Sequence, residues 1–233
     1  MRVEILGIGI HAISMEKAIN ILKSFLNREN ASFVVTPNPE IIMRARKDRK
    51  LKNIINNADL AIPDGIGVVL ASPKIKDRIA GIDLIKNFFE TGENISVYLL
   101  GAAPGIAEKA ALKISKKYSN VKIVGTHHGF FEDNSVEEKT ILEDINKKMP
   151  SLLLVGLGSP RQEKWIHKNK PNAKISIGCG GSLDVFSGKV KRAPHIFRKL
   201  NLEWLYRAIK EPVRFKRLLI IPKFLFLTLL RRF

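Results

Sequence analysis

The chain has 233 residues, which suits one generous domain, or one domain with an appendage, and is long enough to bury a real core. Hydrophobic residues make up 45% and charged residues 27%, so a disordered or low-complexity chain is excluded, and no stretch offers the roughly 20 apolar residues that a spanning helix needs. The charge is the departure from the ordinary: 40 Lys+Arg against 22 Asp+Glu give a formal +18, which points to a polyanionic partner such as nucleic acid, anionic lipid or a phosphorylated substrate.

In chain order, Ile5 to Ile13 is a short apolar patch, but Glu4 precedes it and no small-residue cleavage site follows, so no signal peptide is expected. Val3 to Ile13 alternates loosely around Gly7 and Gly9 and predicts a short hairpin. Ser14 caps a predicted helix through Leu26, with Ala18, Ile21, Leu22 and Phe25 on one stripe. Phe33, Val34 and Val35 form an apolar run suited to a strand buried on both faces. Thr36 to Glu40 then turns that strand into a helix: Asn38 is the N-cap, Pro39 the first helical residue, and Glu40 an acid in the first turn.

The same arrangement returns along the chain. Asp59 to Ile62 predicts a strand that meets Pro63-Asp64-Gly65 before a helix from Ile66, and Gly81 opens a helix over Asp83 to Phe89. Ser96 to Leu100 predicts a strand running into Gly101-Ala102-Ala103-Pro104-Gly105 and a helix to Tyr118. Val121 to Val124 leads to Gly125 through Gly129, with a helix over Val136 to Lys148. Leu152 to Val155 opens onto Gly156 through Pro160 and a helix holding Gln162 and Trp165. Lys174 to Ile177 is the last strand, ending at Gly178 to Ser182. Alternating strands and helices imply right-handed βαβ units: a Rossmann-like α/β fold with a mostly parallel sheet and helices on both faces. Its strand-to-helix turns all open on one edge, where such sheets bind ligands.

Several turns carry residues able to do chemistry. Gly101, Pro104 and Gly105, with Gly156 and Gly158, are small residues that let backbone N–H groups approach a phosphate at a helix N-terminus; tight packing explains either loop alone equally well, but both on one edge favour a nucleotide diphosphate. Neither loop matches the dinucleotide fingerprint or the Walker loop. Asp64 either bonds its own turn or acts as a general base in a partly desolvated cleft. Arg78 is either a solvated charge or a neutraliser of leaving phosphate, and Gln162 either finishes a helix cap or donates to a ligand. His127 and His128 are adjacent and point opposite ways in extended chain, so they are read as ordinary loop residues. No Asp-x-Asp occurs, which argues against a metal-bound nucleotide-sugar site. The single cysteine, Cys179, forms no internal disulfide and fits a reducing compartment.

From Lys189 to Phe233 there are 13 Lys+Arg and only Glu203 and Glu211 as acids. This divides the chain into a core over 1–193 and a basic helical appendage over 194–233. Short helices are predicted at Ile196 to Leu200, Trp204 to Lys210 and Pro212 to Leu230. Leu218 to Leu230 is apolar apart from an interruption at Pro222 and Lys223, too short to span a bilayer and suited to a helix lying in the interface. The plainer alternative is a helix pair docked on the core.

Together these segments resemble the WecG/TagA/CpsF family of bacterial glycosyltransferases. The matching pieces are Thr36 to Glu40, Pro63 to Gly67, Arg78 to Leu84, Leu100 to Gly105, Gly156 to Trp165, Gly180 to Lys189 and Leu202 to Arg207, in order over most of the chain. One departure is Ile82, where many relatives carry Thr. The resemblance implies inverting, metal-independent transfer of an N-acetylmannosamine-type sugar from a UDP donor to undecaprenyl-diphosphate-linked N-acetylglucosamine, as in wall teichoic acid linkage units, with no cofactor. It implies Asp64 as general base, with Thr36, Asn38, Arg78 and Gln162 as active-site residues and Asp184 as a nucleotide contact. By the same resemblance Arg207, Arg214 and Arg217 meet the lipid diphosphate, the enzyme is cytoplasmic and peripheral to the inner membrane face, and self-association into a homo-oligomer is a tendency of the family. Two other readings are a basic RNA- or anionic-lipid-binding protein without transferase activity and a nicotinamide-dependent dehydrogenase. The aliphatic character of the tail counts against RNA, and the missing fingerprint against the dehydrogenase.

Overall fold

The strands at the centre of the sheet are largely apolar and buried along nearly their whole length, so they need cover on both sides. In the computed structural model, which describes residues 1–210 and 220–230, six strands form one parallel sheet: β3 (Ser32–Val35), β4 (Leu60–Ala61), β5 (Ile95–Gly101), β6 (Val121–His127), β7 (Leu152–Gly156) and β8 (Ile175–Gly178), in the order β4-β3-β8-β7-β5-β6. The Rossmann-like expectation of helices on both faces holds. Val97, Leu99, Leu152 and Leu154 face a core built with α1 (Met15–Leu26), α5 (Gly81–Phe89) and α6 (Ile106–Lys117). Tyr98, Leu100, Leu153 and Val155 face the other way, onto α7 (Val136–Lys148) and α8 (Arg161–Asn169). The alternation follows from the two-residue period of a strand.

The predicted N-terminal hairpin forms from β1 (Arg2–Ile5) and β2 (Ile8–His11), antiparallel and separate from the main sheet. It packs with α2 (Pro39–Ala45), α3 (Arg49–Asn56) and α4 (Ile66–Leu70) in a third apolar cluster. His11 Nδ1 accepts from the Ala61 N–H at 3.0 Å, giving a partner to an edge-strand donor. β6 runs to His127, three residues beyond the predicted strand, with a bulge opposite Val97 and Tyr98.

The chain order places the last strands, β7 and β8, in the middle of the sheet. At the carboxyl edge the loops that follow β3, β4, β7 and β8 gather around one crevice, while β5 leads away toward β6. The Gly178 to Ser182 turn leads there into α9 (Ser182–Phe186).

The C-terminal segment contributes α10 (His195–Lys199), α11 (Glu203–Lys210) and α12 (Ile220–Leu230). Pro222 and Lys223 both lie within the described part of α12. Phe224 is fully buried in the cluster of α2, α4 and the hairpin, so this end of the appendage is seated on the core. The predicted helix from Pro212 is described only from Ile220; Arg214 and Arg217 lie outside the described residues.

Candidate active site

Three loops at the sheet edge are stitched together by backbone bonds. The Asp64 N–H donates to Pro37 O at 3.1 Å, Ile62 N–H to Val35 O at 3.0 Å, and Ile79 N–H to Pro63 O at 2.9 Å. These bonds carry Thr36, Asp64 and Arg78 to one place although they are distant in sequence. The result is a cleft of about 520 Å³ whose walls include Thr36, Asn38, Asp64, Arg78, Gly158 and Gln162.

Each side chain has a distinct setting. Thr36 is buried and its Oγ1 donates to Gly178 O at 3.5 Å, across the β3–β8 crevice. Asn38 Oδ1 accepts from the Ile41 N–H at 2.9 Å, fulfilling the predicted N-cap of α2. Asp64 is half-buried on the turn after β4. Gln162 is only 2% exposed. Its Oε1 accepts from the Gly180 N–H at 3.0 Å and its Nε2 donates to Glu163 Oε1 at 2.9 Å. A side chain on Gly178 would meet that amide at 2.7 Å, so only glycine lets Gln162 lie against the β8 turn. Gln162 therefore braces a loop of the cleft from the first turn of α8.

Other residues of the site were not singled out from the sequence. Glu40 and Arg44 on α2 line the cleft and pair at 2.6 Å, and Arg44 Nη1 donates to Ser159 O at 2.7 Å. Glu163, beside Gln162, is equally buried and its second oxygen has no partner; burial pushes its carboxyl above the usual range. Glu203 and Trp204 from α11, with Ile220 and Ile221 from α12, complete the wall. The acidic residue in the first turn of α8, Glu163, was readable as a signal, whereas the tail's part in the wall was not.

The expected nucleotide residues divide. Gly158 borders the cleft, and Gly156 borders a second hollow of about 700 Å³ formed with Ala102, Gly129, Phe131 and Arg161. Gly101, Pro104, Gly105 and Asp184 line neither hollow. A Cβ on Gly101 would lie 2.5 Å from the Gly156 backbone, so close strand packing already accounts for that glycine. Asp184 sits in the first turn of α9 with Lys189 Nζ 3.6 Å away. Arg207 belongs to α11.

His127 and His128 overturn their expectation. Their rings lie 4.5 Å apart, and both Nε2 atoms approach Glu137, because His128 is past the end of β6 and strand alternation no longer applies to it.

A family model described as the glycosyl transferase WecG/TagA/CpsF family matches residues 3–233. This chain belongs to that family. It is a glycosyltransferase, and the non-enzymatic and dehydrogenase readings give way. Two curated relatives of the family, from Staphylococcus aureus strains MRSA252 and MW2, are each 37% identical over 235 residues, covering 97% of this chain and 91% of theirs. Both are named N-acetylglucosaminyldiphosphoundecaprenol N-acetyl-beta-D-mannosaminyltransferase. Among the described residues of this family member, no helix is long and apolar enough to cross a membrane.

Proposed function

We propose that this glycosyltransferase moves an N-acetylmannosamine-type sugar from a UDP donor to undecaprenyl-diphosphate-linked N-acetylglucosamine, inverting the anomeric centre without a metal ion. The observation that supports this most is the gathering of a half-buried carboxylate, Asp64, and an arginine, Arg78, in one cleft at the carboxyl edge of the sheet. The relatives' names supply the sugar and the acceptor.

In this reading Asp64 accepts the proton of the acceptor hydroxyl as the bond from the anomeric carbon to UDP breaks. Negative charge grows on the departing diphosphate, and Arg78 with the N-terminus of α8 offsets it. Thr36, Asn38 and Gln162 hold the loops against which the donor is oriented. The nucleotide extends along the edge past Gly156 and Gly158 toward Gly101, Pro104, Gly105 and Asp184.

Exposed apolar side chains on the tail, among them Ile196, Leu200, Ile209, Phe226 and Leu229, share it with basic residues such as Arg198, Lys199 and Lys223. That composition supports contact with an anionic membrane surface, which brings the enzyme to its lipid acceptor, with the tail arginines Arg207, Arg214 and Arg217 meeting the lipid diphosphate.

The test is incubation with a panel of UDP-sugars and a short-chain lipid-diphosphate N-acetylglucosamine, with and without chelator. Transfer from UDP-N-acetylmannosamine that survives the chelator is expected. No turnover with any UDP-sugar overturns the donor, and turnover abolished by chelator overturns metal independence.

A further inference from the structure

At the carboxyl end of β6, the strand farthest from β4 in the sheet, and absent from the walls of the transfer cleft, three side chains with metal-binding chemistry come together. We propose that His127, His128 and Glu137 bind one divalent transition-metal ion of the zinc type.

Glu137 Oε1 lies 3.7 Å from His127 Nε2 and 3.8 Å from His128 Nε2, and one ligand atom from each of the three residues falls within 4.8 Å of the others. A tetrahedral zinc site, with metal–ligand bonds of about 2.0–2.1 Å, holds its ligand atoms about 3.4 Å apart. The carboxylate therefore needs to shift by a few tenths of an ångström, and the imidazoles by more. Glu137 has that freedom: it stands on the first turn of α7 with its side chain 44% exposed.

The backbone beneath the imidazoles is fixed, so the rings close the remaining distance by side-chain rotation. His127 is paired with Leu100 at the end of β6, and the Gly129 N–H just beyond donates to Ala102 O at 2.8 Å. His127 Nδ1 lies 2.9 Å from the backbone oxygen of His128. A carbonyl only accepts, so that contact puts the proton on Nδ1 and leaves the Nε2 lone pair facing Glu137, as an outer hydrogen bond does for a metal-bound histidine. His128 Nδ1 is buried without a partner, so the polar contacts of that ring fall to Nε2 as well.

Two imidazoles and one carboxylate select zinc-like ions over magnesium or calcium, which prefer all-oxygen shells. Three protein ligands leave a fourth position open to water or to an anion. Glu137 also borders the second hollow, which places one of the three ligands beside it.

The experiment is a titration of tag-free full-length protein with Co²⁺, followed by its visible absorption, and with Zn²⁺ by calorimetry. One ion per chain is expected, with the intense bands of a four-coordinate cobalt site. Glu137→Gln, on an exposed helical face, and His127→Ala each weaken binding by at least about tenfold, the smallest loss usual even for an outer-shell partner. Zinc raises the melting temperature of the wild type but not of Glu137→Gln. No ion bound, or an affinity unchanged in Glu137→Gln, overturns the site and leaves a plain ion pair between two histidines and a glutamate.

Discussion

Arg78 Nη1 lies 3.9 Å from Glu203 Oε2, joining a core loop of the cleft to the first residue of α11. Both side chains are largely buried, so the pair is less screened than a surface ion pair. If Arg78 receives the donor diphosphate, Glu203 competes with it. Glu203→Gln is expected to tighten UDP binding severalfold, up to about tenfold, or about 1.4 kcal/mol. Calorimetric UDP binding that weakens instead would assign Glu203 to the donor site itself.

Asp64→Asn keeps the shape of the turn, whose backbone bond to Pro37 O does not involve the side chain. UDP affinity is expected to stay near wild type while transfer falls by roughly 10²–10⁴, the usual contribution of a positioned base. Comparing kcat with the UDP dissociation constant checks this, and unimpaired turnover would remove Asp64 as the base.

Arg192 clasps Asp83 with two bonds, at 2.5 and 2.6 Å, and also reaches Glu203 at 3.4 Å. Burial raises the Asp83 carboxyl, but the hydrogen bonds and charge of Arg192 outweigh it and hold the pKa below the usual range. A depressed carboxyl stabilises the fold above its unfolded pKa of about 3.9, and that stability is lost as pH falls through the lower folded value. Asp83→Asn should therefore cost about 1–3 kcal/mol at neutral pH, with the difference from wild type shrinking in acid. Urea melts from pH 6 downward measure it; a difference independent of pH would contradict the ion-pair account.

Glu163 has the opposite sign. Its carboxyl is pushed up by burial, so folding opposes its ionisation, and stability is lost as pH rises above the unfolded value of about 4.3. Glu163→Gln keeps an oxygen able to accept from Gln162 and cannot ionise. Its stability relative to wild type should improve as pH rises, in denaturant melts from pH 4 to 8. A relative stability of the variant that stays flat or falls with rising pH would count against burial raising the Glu163 carboxyl.

Phe226 and Leu229 on α12 are 62% and 53% exposed, whereas Phe224 on the same helix is fully buried. Replacing Phe226 and Leu229 with serine should leave the melting temperature nearly unchanged and reduce sedimentation with anionic vesicles. Phe224→Ala should destabilise the fold by about 3–5 kcal/mol. Vesicle binding unaffected by the double substitution would place membrane contact elsewhere.

The sequence by itself determined the alternating strands and helices, the cap at Asn38 and the hairpin around Gly7, because periodicity and capping are local properties of the chain. Its motifs also named Thr36, Asn38, Asp64, Arg78, Gly158 and Gln162, which come together at the cleft. Tertiary structure alone decided which of the edge loops share a hollow: Gly158 and Gly156 are two positions apart yet border different ones. It also decided that Gln162 spends its amide on Gly180 and Glu163, that Glu203 returns from the tail to Arg78, and that two adjacent histidines meet Glu137 from another element. Such contacts depend on strand order and on where a strand ends, and pairings between distant segments leave no periodic trace in a single sequence.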